Sequence, residues 1–334
     1  MNKIHAKSPC CQEKTIRYGR RRRQCSQCGK TWRIRKKKRG RKSIRSSLSF
    51  LTAYLDHTTP SLYAIARTHT RRSEDQLNRH LTSSLKKFVH SAPWSAIPLH
   101  EPLIAIADAM IITIDHYTVA FYFILVRPVT SNQAVILPPY RKLGSESWQG
   151  WQEAFALLAP DIKSSIRALV SDGHTGLLSV ARHYQWIIQR CNFHIIAKIQ
   201  GRRSRWGRSR HQEVGTELYQ LLRIVLMSGD EHAIQNALQE LRTIGLTTGS
   251  TQLKTYLSGF IKHYQEYRSY LTYPELWLPR TSNAAEALIG SIRKLCNRAH
   301  GFRTIHSLTI WIHALLKHKQ TATCNGFLPT ELTR

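Results

Sequence analysis

The feature that most constrains the fold is a change of hydrophobic pattern between Leu103 and His194. Three β-forming apolar runs come first, LIAIADAMIIT, YTVAFYFILVRPV and AVILPPY. A helical stretch, SWQGWQEAFALLA, follows them, and then come a strand, RALVSD, a short helix and a further strand, WIIQRC. Three strands before a helix, and then strand alternating with helix, predict a mixed sheet with helices on its faces.

Helical spacing dominates on both sides of this region. On the N-terminal side, one apolar face carries Leu77, Leu81, Leu85 and Phe88. On the C-terminal side, two stripes follow, Leu218, Leu222, Val225 and Leu226, and then Ile234, Ala237, Leu238 and Leu241. A last helical stretch is expected from Asn283 to about Lys319. We therefore predict a multidomain α+β protein, with a zinc-ribbon-like domain at 1–36, a basic linker at 37–46, a helix-turn-helix domain at 47–92, an α/β core at 100–200 and 276–320, an all-helical insertion at 201–275 and a tail at 321–334.

The charge of the chain favours a polyanionic partner. Its 334 residues include 50 Lys and Arg against 20 Asp and Glu, a formal charge of +30. Such an excess predicts salt-dependent attraction to nucleic acid. The sequence has no apolar run of about 18 residues, and MNKIHAKSPC lacks the apolar core of a signal peptide. We therefore expect a cytoplasmic, nucleoid-associated protein without membrane contact.

The N-terminal cysteines predict a metal site. Cys25 and Cys28 are three positions apart and precede a glycine, a spacing at which two thiolates in a tight turn share one tetrahedral ion. A matching pair would start at residue 8 and end at Cys11, but Ser8 occupies the first of these positions. The predicted zinc ligands are therefore Cys11, Cys25 and Cys28 with Cys10 or His5. The alternative is a metal-free ribbon held together by its neighbours.

A helix-turn-helix is predicted between residues 59 and 79. Thr59-Pro60 is typical of a helix start, and the run from Ser73 to Gln76 matches a capping box. An ordinary helical hairpin with a basic surface is the alternative. Basic and polar residues here and in three other clusters are expected to contact DNA. They are Arg20, Arg21, Arg22, Arg23, Arg71, Arg72, Gln76, Arg79, Arg202, Arg203, Arg205, Arg293, Lys294, Arg298 and Arg303.

Three acidic residues are the candidate catalytic groups. Asp108 and Asp172 each close a β-forming run, and Glu286 lies in the helical segment TSNAAEALIGSIRKL. Carboxylates suit Mg²⁺ or Mn²⁺, and two such ions about 3.5 to 4 Å apart can promote phosphodiester cleavage. Taken singly, each residue is also explained as a strand end, a turn or a helix N-terminus. Asp115 is a rival for Asp108, but its strand-like flanks favour a hairpin turn.

Together these segments resemble the DDE transposases of the Mutator type, including related bacterial insertion-sequence transposases. The resemblance rests on Asp108, VSDGHTGL, QRCNFH and TSNAAEALIGSIRKL followed by RAHGFRT, and it is strongest from Leu103 to Arg303. It implies an RNase H-like core interrupted by an all-helical insertion, and a Cys-x-x-His motif near the active site, here Cys191 and His194. Ala109 departs from the family, in which glycine is frequent after the first Asp.

The resemblance implies a DNA transposase that binds the ends of its own element. Water would cleave the phosphodiester at each end, and the freed 3′-hydroxyl would attack target DNA. Because two ends must meet, a homodimer or larger synaptic assembly is expected. Two alternatives remain, a DNA-binding regulator derived from a transposase and lacking catalysis, and a nuclease that cuts without joining.

Overall fold

The computed structural model describes residues 7–18, 22–33, 51–56, 74–98, 101–198, 212–299 and 301–324. The chain divides into two compact units, Met1–Phe50 and Leu51–Arg334. Within these units the architecture is mixed α/β, as predicted. The bounds proposed for the individual domains stay predictions.

The first unit contains a small antiparallel sheet. Its strands are β1 (Thr15–Arg17), β2 (Arg22–Cys25) and β3 (Thr31–Arg33), in the order β1-β2-β3. Gly29 adopts a φ of 72°, and its N–H donates to the carbonyl of Cys25, which closes the turn between β2 and β3. The predicted glycine turn after Cys28 is confirmed.

The second unit is built around a seven-stranded mixed sheet. Its strands are β4 (Leu103–Ile114), β5 (Tyr117–Pro128), β6 (Gln133–Ile136), β7 (Tyr140–Leu143), β8 (Ile166–Ser171), β9 (Ile187–Arg190) and β10 (Thr321–Thr323). The order is β10-β6-β5-β4-β8-β9, and β7 pairs with β5. The first strands pair antiparallel, whereas β4, β8 and β9 are parallel. The prediction of a mixed sheet is therefore confirmed.

The long hairpin of β4 and β5 is the centre of this sheet. Asp115 and His116 form its turn with φ values of 48° and 66°, the left-handed conformation that two-residue hairpins require. Asp tolerates this conformation well because its short side chain bonds locally. The interpretation of Asp115 as a turn residue is confirmed, which leaves Asp108 as the acidic residue within the strand.

Helices cover both faces of the sheet. Their bounds are α1 (Glu74–Ser91), α2 (Trp148–Ala156), α3 (Pro160–Ser165), α4 (Thr175–His183), α5 (Gln212–Met227), α6 (Glu231–Thr247), α7 (Thr251–Lys262), α8 (Ser269–Thr272), α9 (Asn283–Arg298) and α10 (Ile305–Lys319). Leu103, Ala105 and Ala107 of β4 share one core with Trp151 of α2 and Leu177 of α4. Since side chains alternate along a strand, the even-numbered residues of β4 lie on the other face, where α9 packs.

The predicted helical insertion has a core of its own. Both apolar stripes, one on α5 and one on α6, are fully buried together with Leu253, Leu257 and Phe260 of α7. Two 3₁₀ turns, Tyr264–Tyr267 and Pro274–Leu276, lead the chain back towards the sheet. Residues 199–211, where the insertion was predicted to begin, lie outside the described residues.

The helical stretch predicted from Asn283 to about Lys319 consists of two helices. The first, α9, ends at Arg298, and the second, α10, starts at Ile305. Gly301 has a φ of 92°, and the Thr304 hydroxyl accepts from the N–H of Ser307 to cap the new helix. The short strands β7 and β10 and the helix α3 were also not predicted.

Helix α1 matches the second helix predicted for the helix-turn-helix. Leu81 and Leu85 are buried, and Phe88 is half-buried. The first predicted helix and the turn, at residues 57–73, lie outside the described residues, so the motif itself stays a prediction. In the part of the chain that is described, no helix is both long and apolar enough to cross a membrane.

Candidate functional site

The pairing of β4, β8 and β9 brings the first catalytic candidates into one row. Ile106 lies opposite Val170 in the parallel register. Asp108 lies two residues further along β4, and Asp172 directly follows the end of β8 at the same level. Cys191 directly follows the end of β9, and its N–H donates to the carbonyl of Ser171 at 2.7 Å. Because neighbours in such a row point to the same face, these side chains meet on the side covered by α9.

Burial and like charge perturb the first carboxylate of this row. The pKa of Asp108 is raised to about 7, first by burial and then by the charge of Asp172, with a smaller contribution from Glu286. A hydrogen bond from the N–H of Ala109 to Oδ1 of Asp108, at 2.8 Å, partly opposes this rise. All three predicted carboxylates therefore interact electrostatically, and a cation between them would relieve the repulsion.

Glu286 reaches the same place from α9. It lies in the first turn of this helix, whose apolar face, including Leu288 and Ile292, is buried. Its Oε1 accepts from the Ser282 hydroxyl at 3.0 Å and lies 3.3 Å from Nδ1 of His194. The Cys191 sulfur lies 3.8 Å from the same oxygen. The structure thus brings the predicted Cys-x-x-His motif directly against the third carboxylate.

Cys191 and His194 also interact with each other. The pKa of His194 is raised to about 9, chiefly by its hydrogen bond with Cys191, although burial opposes the rise. The negative charges of Glu286 and Asp172 raise it further. Without a metal, a protonated imidazole therefore offsets part of the negative charge of the site.

Sequence analysis missed Glu146, which supports the second aspartate. Its Oε1 accepts from the indole N–H of Trp151 at 2.7 Å and lies 3.2 Å from Nδ1 of His174. The N–H of His174 in turn donates to Oδ1 of Asp172 at 3.0 Å. Burial, followed by the charge of Asp172, raises the pKa of Glu146. Glu146 lies in the polar loop GSES. This loop has no periodic pattern of apolar residues, so the sequence did not indicate in which direction the Glu146 side chain points.

Arg190 was also missed, and it links the loop after Asp172 to the helical insertion. Gly173 has a φ of 95°, and a Cβ built on it would lie 3.5 Å from the Arg190 guanidinium. Nε of Arg190 donates to Glu266 at 2.5 Å, and Arg182 donates to the other oxygen of this carboxylate at 3.1 Å. Arg190 and Glu266 are 76 residues apart in the sequence, and both are residue types that are common on protein surfaces, so the sequence did not indicate their ion pair.

The first unit holds a second candidate metal site. The sulfurs of Cys10, Cys11, Cys25 and Cys28 all lie within 4.8 Å of one another. This is the donor set of a tetrahedral zinc site. The residues therefore fit a metal such as zinc, with Cys10 as the substitute ligand. His5, the other candidate, lies outside the described residues.

Ser8 explains how two adjacent cysteines reach the cluster. Its hydroxyl oxygen accepts from the N–H groups of Cys11 at 3.3 Å and Glu13 at 3.1 Å. The thiol of Cys25 approaches the same oxygen at 3.4 Å, and this contact is the main cause that lowers the pKa of Cys25 to about 6. Ser8 thus holds the loop, and the ligand expected at its position comes from Cys10.

The predicted DNA-contacting residues differ in exposure. Those with exposed side chains are Arg22, Gln76, Arg79, Arg293, Lys294 and Arg303, and Arg23 is half-buried. Arg298 instead donates to the carbonyl of Tyr54 at 2.9 Å and lies 4.5 Å from the centre of its ring, so it connects two parts of the second unit. The others, Arg20, Arg21, Arg71, Arg72, Arg202, Arg203 and Arg205, lie outside the described residues.

Comparison with known proteins adds no family to this geometry. No protein-family model matches the chain, and no curated protein matches its sequence. The side chains of the chain itself are therefore the evidence for its function.

Proposed function

We propose that the chain is a DNA transposase of the DDE type, similar to the Mutator-type enzymes of bacterial insertion sequences. The observation that carries the proposal is the convergence of Asp108 in β4, Asp172 directly after β8 and Glu286 in the first turn of α9. The charges of Asp172 and Glu286 contribute to the raised pKa of Asp108. A partly buried group of like charges is costly for a fold unless a cation neutralises it.

The carboxylates of this triad fit magnesium. All three offer hard oxygen ligands, which Mg²⁺ prefers, and the raised pKa of Asp108 indicates a site in which added positive charge is favourable. We propose that Asp108, Asp172 and Glu286 hold two Mg²⁺ or Mn²⁺ ions. When bound, such ions would supply Lewis-acid assistance to phosphodiester hydrolysis and strand transfer.

The surrounding residues keep this triad in position. The N–H of His174 fixes Asp172, the N–H of Ala109 fixes Asp108, and the Ser282 hydroxyl fixes Glu286. All three bonds come from residues no more than four positions away, so each carboxylate is fixed by its own segment. Water and, in the second step, a DNA 3′-hydroxyl would serve as nucleophiles, so no covalent protein intermediate is needed.

The wider architecture supports the same proposal. A mixed sheet with an all-helical insertion between Asp172 and Glu286 is what an RNase H-like transposase core would contain. Exposed Arg293 and Lys294 follow Glu286 on α9 and can contact phosphates beside the scissile bond. The net charge of +30 suits binding of element ends and target DNA by a dimer or larger assembly.

The test is Mg²⁺-dependent cleavage and strand transfer on a duplex that carries the DNA flanking the gene. Glu286→Gln removes one proposed metal ligand with little change of shape, and it is expected to abolish both reactions while end binding persists. Glu275→Gln is the matched control, because this glutamate is exposed on a 3₁₀ turn outside the site. It should cleave and join at the wild-type rate.

The outcomes separate the alternatives. Cleavage without joining would indicate a nuclease, and tight end binding without any product would indicate a regulator derived from a transposase. Undiminished cleavage by Glu286→Gln would place the chemistry elsewhere in the chain.

A further inference from the structure

Three unlike donor atoms meet beside the carboxylate triad. The sulfur of Cys191, a ring nitrogen of His194 and an oxygen of Glu286 all lie within 4.8 Å of one another. Cys191 is fully buried, whereas the side chains of His194 and Glu286 are 28% and 26% exposed. The cluster is therefore anchored in the core and open to solvent on one side.

The spacing of these atoms matches that around a tetrahedral ion. With metal–sulfur, metal–nitrogen and metal–oxygen bonds of about 2.3, 2.05 and 2.1 Å, tetrahedral angles separate S from O by about 3.6 Å and N from O by about 3.4 Å. The corresponding distances in the structure are 3.8 Å from Cys191 Sγ to Glu286 Oε1 and 3.3 Å from His194 Nδ1 to that oxygen. Little movement would be needed to accept an ion.

Backbone groups also position the donor atoms of this cluster. The N–H of Ser282 donates to the sulfur of Cys191 at 3.3 Å. The N–H of Asn192 donates to the carbonyl of Arg280 at 2.9 Å, which ties the strand end to the segment before α9. These two hydrogen bonds hold the segment that follows β9, with Cys191 and His194, against the start of α9, which carries Glu286.

We infer that Cys191, His194 and Glu286 form a third metal site, for a borderline-soft divalent cation of the Zn²⁺ class. Thiolate and imidazole select such ions over Mg²⁺, which prefers oxygen. Three protein ligands leave one position open for water or a phosphate oxygen. The binding site stands on its own geometry, but its link to DNA cleavage, through the shared Glu286, rests on the proposed function.

Cobalt substitution tests this site in the full chain. Metal-free protein is titrated with Co²⁺ under reducing conditions. The absorption spectrum then shows the ligand-field bands of the bound Co²⁺ and the bands of sulfur-to-cobalt charge transfer. The wild type should show the tetrathiolate bands of the N-terminal cysteines and a second species with weaker sulfur character. Cys191→Ser and His194→Asn should each bind one Co²⁺ fewer per chain while the tetrathiolate bands remain. Cys296→Ser removes a half-buried thiol from α9 and should match the wild type.

Several results would overturn the inference. Wild-type protein that shows only tetrathiolate bands would do so, as would full Co²⁺ binding by both site variants. His194→Asn decides the matter if Cys191→Ser fails to fold, since its ring is partly exposed and costs less to replace. The proposed function can fail separately. A protein that binds Co²⁺ at Cys191 and His194 yet never cleaves DNA would refute the proposal of a transposase and leave the inferred metal site intact.

Discussion

Replacement of Asp108 by asparagine is expected to stabilise the metal-free protein, and to do so more strongly at high pH. Asparagine keeps the size of the side chain and an oxygen that can accept the Ala109 N–H bond. It removes the charge that burial and Asp172 disfavour. A catalytic candidate would thus be one of the few buried positions at which loss of a native group increases stability.

The magnitude follows from the shift of the pKa. The pKa of Asp108 rises from 3.8 to about 7 on folding, so the folded protein binds the proton more tightly than the unfolded chain. The contribution of protonated Asp108 to stability is therefore complete below pH 3.8, and this contribution is lost as the pH rises through about 7. At about 1.4 kcal/mol per pKa unit, the loss is about 2 kcal/mol at pH 5 and about 4 kcal/mol at pH 8. The advantage of Asp108→Asn should therefore grow by about 2–3 kcal/mol between these two pH values.

Urea unfolding of the chelator-treated wild type and variant at pH 5 and pH 8 measures this difference. Asp115→Asn is the control, because Asp115 is exposed in a left-handed turn that asparagine also favours. Its effect should be small and equal at both pH values. An Asp108→Asn variant that is less stable than the wild type, or equally shifted at both pH values, would refute the electrostatic account of the site.

Two further predictions concern the frame of the second unit. Arg127 is fully buried and donates to the carbonyls of Val129, Ser131 and Trp277. Arg127→Met should therefore lower the free energy of unfolding by about 3–5 kcal/mol in urea titrations. Arg167 is exposed, so Arg167→Met should change this free energy by less than about 0.5 kcal/mol. A Cβ on Gly176 would lie 2.7 Å from the Trp148 backbone, so Gly176→Ala should cost about 1–3 kcal/mol. Gly259→Ala, which meets nothing within 4 Å inside α7, should gain about 0.5–1 kcal/mol. Equal effects within either pair would contradict the packing described.

The central sheet could be predicted because its strands are long and apolar on both faces. β4 and β5 each have 12 residues, and the turn between them carries Asp115, a residue tolerant of left-handed backbone. Short elements gave no such pattern. β10 has three residues and is a strand only because Gln133–Ile136 offers an open edge, a partner almost two hundred positions earlier. Local sequence cannot indicate a pairing of that kind.

The residues of the candidate site can likewise be divided into those that the sequence could indicate and those that it could not. Asp172 and Glu286 could be identified because one directly follows β8 and the other lies in the first turn of α9, where a side chain is fixed. Asp108 was expected to close a strand, but it lies within β4, because the apolar run continues to Ile114 and pairs with β5 over its whole length. Glu146 and Ser282 lie in loops, and their roles depend on which distant atoms they meet. In the first unit, spacing alone favoured a ligand at residue 8. The hydrogen bonds of the Ser8 hydroxyl, which are visible only in three dimensions, explain why Cys10 takes that place.

Each carboxylate of the candidate site is held by its own segment of the chain. The bonds to Asp108, Asp172 and Glu286 come from N–H and O–H groups no more than four positions away. Burial, together with the charges of Asp172 and Glu286, raises the pKa of Asp108. A cation that binds only the folded protein recovers this energy as affinity. A divalent cation bound beside Asp108 should therefore offset the destabilisation that the charge of Asp108 causes in the metal-free fold.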